Sequence, residues 1–132
     1  MPITYDFDQK DRLILTKVSG ELTTADTVKY FSCLEQDDNC PEDAIEIVDF
    51  TNVTDFVLKY NNMKEITGEY QDTKSIKKIL ATIFICPSPL SFGIGRMLQT
   101  IHQITNEKHV VIIVRSEAEL ERSIKDFRLA HK

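Results

Sequence analysis

Hydrophobic and polar residues alternate near the start of the chain with the period of a half-buried strand. Ile3–Asp8 shows this alternation, and residues 13–18 form a second strand-like segment after a short polar turn. Two such segments joined by a short turn predict an antiparallel β-hairpin. Gly20 marks the predicted end of the second strand.

Helical periodicity begins directly after this hairpin. Val28, Phe31 and Leu34 form one apolar stripe of the kind that packs a helix on a sheet. Thr23 or Thr24 precedes the stripe as the expected N-cap. The pattern therefore predicts a first helix between the hairpin and the next strand.

The middle of the chain predicts a strand and a second helix. Residues 44–50 are largely apolar, which is typical of a buried strand. Residues 51–56 are rich in short polar side chains that bond to nearby backbone, so we expect them to form a loop. Apolar spacing predicts a helix over residues 58–71, with Met63 on its inward face.

The longest apolar run, residues 79–86, predicts a strand that is buried on both faces. A turn containing two prolines follows, and a helix is expected to begin at Ser91. Residues 110–114 predict the last strand. Ser116 should cap a final helix, with Glu119 completing a capping box.

This element order predicts the fold class. After the hairpin, strands and helices alternate, which requires right-handed crossovers and a mostly parallel sheet. We therefore expect an α/β protein with a single five-stranded mixed sheet and four helices. No linker or repeat interrupts the pattern, so residues 1–132 should form a single domain.

Composition narrows the classes of function. The chain has 132 residues and a formal net charge of -5, which argues against nucleic acid as a partner because phosphate contacts need a positive surface. No apolar run reaches the length of a membrane span. Three cysteines without paired spacing indicate reduced thiols and a cytoplasmic protein.

The start of the third predicted helix is the first candidate ligand site. A helix N-terminus attracts anions through free backbone N–H groups, and Gly93 and Gly95 would leave that backbone open. Ser91, Phe92 and Arg96 complete this candidate set. The glycine spacing matches neither a dinucleotide fingerprint nor a phosphate-binding loop. The alternative is that Ser91 caps the helix and the glycines let it pack closely on the sheet.

The polar residues after the predicted third strand are the second candidate site. Asp49, Thr51, Asn52 and Thr54 could hold a ligand together with Asp55, whose carboxylate would supply a second acid–base group or cation ligand. The alternative is a hydrogen-bonded turn that caps the next helix. Adjacent strands would bring both candidate sites to one crevice.

Cysteine and histidine positions do not predict a catalytic or metal site. Cys86 ends a buried strand and is expected to be a small core residue. The alternative is a reactive thiolate with Arg96 as its positive neighbour. His102, His109 and His131 have no zinc-ligand spacing and are expected at surface or boundary positions. We therefore expect no enzymatic activity, no metal and no cofactor.

Several segments resemble the STAS fold of sulfate transporters and anti-sigma-factor antagonists, and in particular the bacterial SpoIIAA-like proteins of STAS/CRAL-TRIO type. Together with the element order, the following segments carry the resemblance: residues 2–5 (Pro-Ile-Thr-Tyr), 18–23 (Val-Ser-Gly-Glu-Leu-Thr), 48–56 (Val-Asp-Phe-Thr-Asn-Val-Thr-Asp-Phe) and 91–97 (Ser-Phe-Gly-Ile-Gly-Arg-Met). They extend over nearly the whole chain.

The resemblance implies a non-enzymatic regulatory or protein-interaction module. Antagonists of this kind are phosphorylated on a serine or threonine at the start of the helix after the third strand. Residues 57–63 contain only Tyr60 as a hydroxyl side chain and lack the Asp-Ser-Ser-Gly signature, so the phosphorylation site is not carried over.

Two kinds of binding remain open. In the first, Phe56, Asn61, Asn62 and Met63 meet a protein partner or a second copy of the chain. In the second, the protein is a small-molecule or lipid carrier or sensor of CRAL-TRIO type. Its apolar ligand would lie near Phe56, Met63, Phe92 and Met97, with an anionic end at the helix N-terminus.

Overall fold

The computed structural model describes residues 2–57, 79–105 and 109–131. In chain order the elements are β1 (Ile3–Asp8), β2 (Leu13–Thr23), α1 (Thr24–Gln36), β3 (Ile45–Val57), β4 (Ala81–Ile85), α2 (Pro89–Thr105), β5 (Val110–Val114) and α3 (Glu117–Ala130). The predicted helix over residues 58–71 lies outside the described residues. The described part of the chain therefore contains three helices, where four were expected for the whole chain.

The five strands form one mixed sheet in the order β1-β2-β3-β4-β5. β1 and β2 are antiparallel, as the hairpin prediction requires. The pairs β2–β3, β3–β4 and β4–β5 are all parallel. The α/β class and the mixed sheet are therefore confirmed. The parallel strands also bring their carboxyl ends to one edge of the sheet, which we call the carboxyl edge.

Two strand ends were predicted wrongly. β2 continues past Gly20 to Thr23, and β3 continues to Val57, so residues 51–56 are strand rather than loop. The two strands pair with each other beyond the point where β4 stops, as a two-stranded extension that we call the β2–β3 ribbon (residues 19–23 and 52–57). The ribbon was not predicted as strand because its exposed side chains are polar. Leu22 and Val53 nevertheless face inward and are buried, as in a strand with one covered face.

Gly20 lies within this ribbon rather than at its end. Its φ angle of +72° is in the left-handed region that favours glycine. The pairing of β2 with β3 shifts register on both sides of Ser19 and Gly20. Gly20 therefore marks a bulge that re-aims the strand instead of terminating it.

Hydrophobic cores lie on both faces of the sheet. On one face α1 and α2 cover the even-numbered positions of the central strands, with Leu34, Val48 and Phe84 among the buried residues. On the other face α3 buries Leu120 and Phe127 against the odd-numbered positions. β3 and β4 contribute to both cores, which explains why residues 44–50 and 79–86 are largely apolar rather than alternating.

The helix starts follow the predicted capping chemistry. Thr23 is the N-cap of α1, and its side chain accepts a hydrogen bond from the Asp26 amide. Ser116 caps α3 by accepting from the Glu119 amide. The returning bond of this box differs from the expected one, because the Glu119 carboxylate accepts from the amide of Arg115. Among the described helices none is long and apolar enough to cross a membrane.

Candidate functional site

Parts of the two candidate ligand sites predicted from the sequence lie close together at the carboxyl edge. Asp49 of β3 pairs with Ile85 of β4, so Asp49 lies beside the strand end that leads to Cys86. The Cys86 amide donates to the carbonyl of Val114 at 2.8 Å, which holds the ends of β4 and β5 together. Edges of this kind are where open α/β sheets usually place ligands.

The N-terminus of α2 is capped by its own side chains. α2 begins at Pro89, two residues before the predicted start. The Ser91 amide donates to the Ser88 hydroxyl at 3.1 Å, and the Ser88 amide donates to the Ser91 hydroxyl at 3.0 Å. This is a reciprocal capping box in which Ser88, not Ser91, is the cap. The Phe92 amide donates to the Ser88 carbonyl at 2.8 Å.

This capping uses the backbone groups that the anion-site prediction needs. Proline at residue 89 has no N–H, and the amides of Ser91 and Phe92 are already engaged within the turn. An anion would therefore have to displace these bonds. The anion site at Ser91 stays a prediction, and the geometry favours the alternative that this serine pair organises the helix start.

The two glycines of α2 have different surroundings. A Cβ atom on Gly95 would lie 2.8 Å from the Sγ of Cys86, whereas a Cβ on Gly93 would meet nothing within 4 Å. Gly93 is exposed and Gly95 is buried. The close packing of helix on sheet that the sequence suggested for both glycines therefore applies to Gly95.

Cys86 is a core thiol with little nucleophilic character. Its side chain is fully buried. Burial and the nearby carboxylate of Asp49 raise the pKa of the thiol to about 12, while Arg115 acts in the opposite direction. Because this pKa lies far above neutral, the proton stays on sulfur near neutral pH. The thiol is therefore a poor nucleophile, since only the thiolate reacts readily.

The cation of the carboxyl edge is Arg115 rather than Arg96. Arg96 lies exposed on α2, and its guanidinium donates to the Gln99 side chain at 3.0 Å. The guanidinium carbon of Arg115 lies 4.4 Å from the centroid of the Phe92 ring, in the range of a cation–π contact. Sequence reasoning missed Arg115, although its place directly after β5 put it at this edge.

The remaining predicted ligand residues lie further along β3. Asp49 accepts hydrogen bonds from both the amide and the hydroxyl of Thr51, at 2.9 and 2.5 Å. Thr51 is exposed just before the β2–β3 ribbon, and Asn52 and Thr54 are exposed on it. Their ligand role stays a prediction. Phe56 is a half-buried residue of the ribbon, while Asn61, Asn62 and Met63 lie outside the described residues.

A buried polar network lies in the α1–α2 core near the amino end of β3. It was not predicted from the sequence. Glu46 of β3 has only 1% of its surface exposed. The Tyr30 hydroxyl donates to one carboxylate oxygen at 2.5 Å, and the Thr82 hydroxyl donates to the other at 2.8 Å. Thr16 contacts the Tyr30 hydroxyl at 2.7 Å, and His109 contacts the Thr82 hydroxyl at 3.0 Å.

Tyr30 and Thr82 each donate a hydroxyl proton to the Glu46 carboxylate. Thr16 and His109 extend the network through their contacts with these two hydroxyls. The signal in the sequence was a glutamate at an inward position of an apolar strand.

Both histidines of this region are buried, contrary to the surface or boundary roles expected for them. His102 and His109 are 3% and 8% exposed, and their rings lie 6.3 Å apart between centroids. The fold brings them together because the end of α2 returns to the start of β5. Within the described part of the chain, no group of three or more His, Cys, Asp or Glu side chains could hold a metal ion.

A cavity of about 50 Å³ adjoins the network. Thr16, Tyr30, Glu46 and His102 are among its lining residues, but the surface that faces the cavity is almost entirely apolar. Its volume is enough for a few water molecules at most. The network therefore adjoins a small apolar cavity inside the domain.

Solved structures establish the fold class of this chain as SpoIIAA-like. The chain is similar to a protein of the DUF3478 family with a SpoIIAA-like fold from Shewanella loihica PV-4, with 16% sequence identity and a TM-score of 0.56. That match covers 95% of this chain and 90% of the other. The STAS/SpoIIAA-like fold that the sequence resemblance predicted is therefore confirmed.

A second structure connects the fold with regulation in another protein. The chain is similar to the anti-sigma factor antagonist SpoIIAA in its unphosphorylated form, with 12% identity, a TM-score of 0.52, and coverage of 96% of this chain and 97% of that one. No protein-family model matches the sequence. No curated protein matches it either.

Proposed function

We propose that the chain is a non-enzymatic regulatory module that acts in the cytoplasm by binding a protein partner. The observation that carries this proposal is the fold similarity to an anti-sigma factor antagonist over 96% of this chain. We further propose that binding does not depend on a phosphorylated serine or threonine in residues 57–63, because that stretch contains neither.

The carboxyl edge offers a surface for such a partner. Val57 at the end of the β2–β3 ribbon is 46% exposed, and Leu90 at the start of α2 is 44% exposed. Met97 lies two turns further along α2 and is 36% exposed. Interaction surfaces are marked by contiguous exposed apolar patches, and these three side chains are the candidates for such a patch at this edge. The predicted contact residues Asn61, Asn62 and Met63 come four to six residues after Val57 in the sequence.

The chemistry of this edge supports binding rather than catalysis. The pKa of about 12 keeps Cys86 protonated, so the buried thiol is not an activated nucleophile. Asp49 is engaged with Thr51, and the Ser88 and Ser91 hydroxyls bond to each other at 2.8 Å. These hydrogen bonds stabilise the edge, and among the described residues these groups bond to one another rather than form an acid–base pair.

A pull-down tests the partner-binding proposal. The tagged full chain should recover a defined protein from a lysate of its natural source, or should itself form a dimer in light scattering. Val57→Asp places charge on the proposed surface, and Asn62→Arg places charge at a contact residue predicted from the sequence; each should abolish that complex. Lys125→Glu changes an exposed residue of α3 on the other face of the sheet and should leave it intact.

The partner proposal fails under two outcomes. A strictly monomeric chain that recovers no protein would contradict it. A complex that survives both surface substitutions but is lost in Lys125→Glu would place the interface on the other face. Circular dichroism of each variant confirms that the fold is retained, so a lost complex reports the interface.

The second candidate function is a small-molecule carrier or sensor of CRAL-TRIO type. The apolar cavity beside Glu46 supports it, since ligand sites are lined predominantly by hydrophobic and aromatic side chains, although a volume of about 50 Å³ would have to widen to admit a ligand. The anionic end expected at the α2 N-terminus stays a prediction. Native mass spectrometry of the protein purified from cells should show a retained adduct that Phe84→Trp, which fills the cavity, displaces; a mass without adducts would contradict this function.

A further inference from the structure

An open groove lies at the amino ends of the strands, on the edge opposite the carboxyl edge. Its volume is about 540 Å³, within the range of about 300–1,000 Å³ typical of small-molecule sites. Its lining includes three apolar and three cationic side chains: Ile45, Leu80, Phe127, Lys10, Arg12 and Arg128. We call it the amino-edge groove.

The floor of the groove is apolar. Ile45 and Phe127 are buried beneath it, whereas Leu80 is 44% exposed and faces the open space. The Phe127 ring stacks on His131 at 4.1 Å between centroids. A hydrocarbon or aromatic group that entered the groove would therefore cover Leu80 and lie against an ordered aromatic pair.

The rim of the groove carries positive charge in a chain whose formal net charge is -5. Lys10 and Arg12 come from the turn between β1 and β2, and Arg128 comes from the last turn of α3. Two carboxylates, Asp11 and Asp43, also line the groove. The three cations outnumber them, so the rim complements one negative charge on a ligand.

Backbone geometry fixes this rim. Arg12 and Asp43 have φ angles of 53° and 54°, and among the described residues they are the two non-glycine residues with positive φ. Both line the groove. The Arg12 carbonyl accepts a hydrogen bond from the Ile45 amide at 3.0 Å, which holds the turn against β3.

The identity of residue 12 is the informative detail. Glycine adopts positive φ without steric cost, whereas arginine does not. The backbone bond to Ile45 would form equally well with glycine. An arginine in a disfavoured backbone conformation at a groove rim therefore leads to the hypothesis that the side chain itself is used.

We propose that the amino-edge groove binds a small organic anion that carries an apolar group. The guanidinium of Arg12 and the ammonium of Lys10 contact the carboxylate or phosphate, since a planar guanidinium matches either group with two parallel hydrogen bonds. The apolar group covers Leu80 and Phe127. This site lies on the edge opposite the proposed partner surface, so either proposal can fail without the other.

Amide chemical shifts of the full-length protein test the proposal. Phenyl phosphate and benzoate serve as probes with both groups, inorganic phosphate as the anion alone, and benzyl alcohol as the apolar group alone. Phenyl phosphate or benzoate should give saturable shifts at residues 10–12, 43, 80 and 128, and the stronger of the two identifies the preferred anion. Inorganic phosphate and benzyl alcohol should each bind at least about tenfold more weakly.

Two substitutions separate the contributions of rim and floor. Arg12→Gly removes the guanidinium and suits the positive φ, so it should weaken phenyl phosphate about tenfold or more while the melting temperature stays equal or rises. Leu80→Ser should weaken phenyl phosphate but leave inorganic phosphate unchanged. Arg122→Gln, an exposed arginine of α3 outside the groove lining, should leave all binding unchanged.

Several results would overturn the proposal. One is the absence of saturable shifts for both two-group probes up to about 10 mM, a concentration that detects even weak binding. A second is a result in which the stronger of the two two-group probes binds no more tightly than inorganic phosphate or benzyl alcohol. A third is unchanged binding by Arg12→Gly, or equal loss in Arg122→Gln, which would show that the cations act only through the overall charge.

Discussion

At the scale of single residues, the Glu46 network is the most consequential feature of the α1–α2 core. Both oxygens of this buried carboxylate accept hydrogen bonds from hydroxyl groups, on α1 and on β4. A buried carboxylate is costly unless its lone pairs are satisfied. The network therefore links α1 to the middle of the sheet through a small number of interactions that cannot be lost independently.

Removing one hydroxyl from this network should have a large effect on stability. Tyr30→Phe deletes the donor to Glu46 and the acceptor for Thr16 while it preserves the ring. We expect the free energy of unfolding to fall by about 1–3 kcal/mol, the cost of leaving buried polar atoms without partners. Urea denaturation followed by circular dichroism measures this change.

Tyr5→Phe is the matched control for that prediction. Tyr5 belongs to the same aromatic cluster, with ring centroids 5.9 Å from Tyr30, but its hydroxyl bonds to the half-buried Asp37 at 3.1 Å. Water can replace that bond, so the loss should stay below about 1 kcal/mol. Equal effects of the two substitutions would show that the buried network adds nothing beyond an ordinary hydrogen bond.

Titration of Cys86 should lower the free energy of unfolding at alkaline pH. Its pKa is about 12 in the folded chain, against an ordinary value of 9.0. Between these values the unfolded chain loses the proton first, so the free energy of unfolding should fall as pH rises, with no contribution from this thiol below pH 9.

A comparison of variants isolates this thiol. Tyr5, whose pKa burial raises from 10.0 to about 12, contributes in an overlapping range. Cys86→Ala should therefore flatten the decline above pH 9 only in part, and Tyr5→Phe should flatten it above pH 10. Urea midpoints measured at pH 7 to 11 test both. An unchanged alkaline decline in Cys86→Ala would mean that the thiol is accessible in the folded state.

At the scale of elements, the packing of α2 on the sheet, beside Cys86 at the end of β4 and Ile113 of β5, depends on one glycine. Gly95→Ala gains helix propensity of about 1 kcal/mol but inserts a Cβ at 2.8 Å from the Cys86 sulfur. Overpacking a buried contact costs about 1–3 kcal/mol, so we expect net destabilisation. Gly93→Ala has the same propensity gain and no contact within 4 Å, so it should stabilise.

The free energy of unfolding should fall in Gly95→Ala and rise in Gly93→Ala. Thermal and urea denaturation of both variants measure these changes. Cys86→Ala added to Gly95→Ala removes the clashing sulfur and should recover part of the loss, with a coupling of about 0.5–3 kcal/mol. Stabilisation by both alanines would show that α2 is free to move away from β4.

Element identity could be predicted from the sequence, whereas some boundaries and contacts could not. β5 matches the predicted residues 110–114, because a short apolar run flanked by polar residues leaves little choice. The β2–β3 ribbon was missed because polar side chains on exposed strands look like loop residues. Only pairing between β2 and β3, which is not local in sequence, makes them strands.

The candidate site shows the same division. Close packing on the sheet was the alternative suggested for both Gly93 and Gly95, and it applies to Gly95. Cys86 was expected to be a small core residue, and it is buried. Arg115 and the Glu46 network were missed because their importance depends on which strands become neighbours. Glu46, Thr82 and His109 are far apart in sequence, and the parallel order of β3, β4 and β5 brings them together.

At the scale of the whole molecule, two cores share one sheet, which bears on the prediction of a single domain. β3 and β4 contribute side chains to both faces, so neither core can be dismantled without exposing the other. A domain of this size with a shared sheet should unfold in one cooperative transition. Separate unfolding of the α3 face would instead indicate two units.

Single tryptophan reporters can test this cooperativity because the chain has no tryptophan of its own. Phe31→Trp reports the α1–α2 core and Phe127→Trp reports the α3 core. In each variant, the urea midpoint from fluorescence should coincide with the midpoint from far-ultraviolet circular dichroism, with one m-value of about 1–3 kcal/mol/M. A fluorescence transition of Phe127→Trp at lower urea than the loss of circular dichroism would contradict the single domain, since α3 would then leave the sheet before the α1–α2 core unfolds.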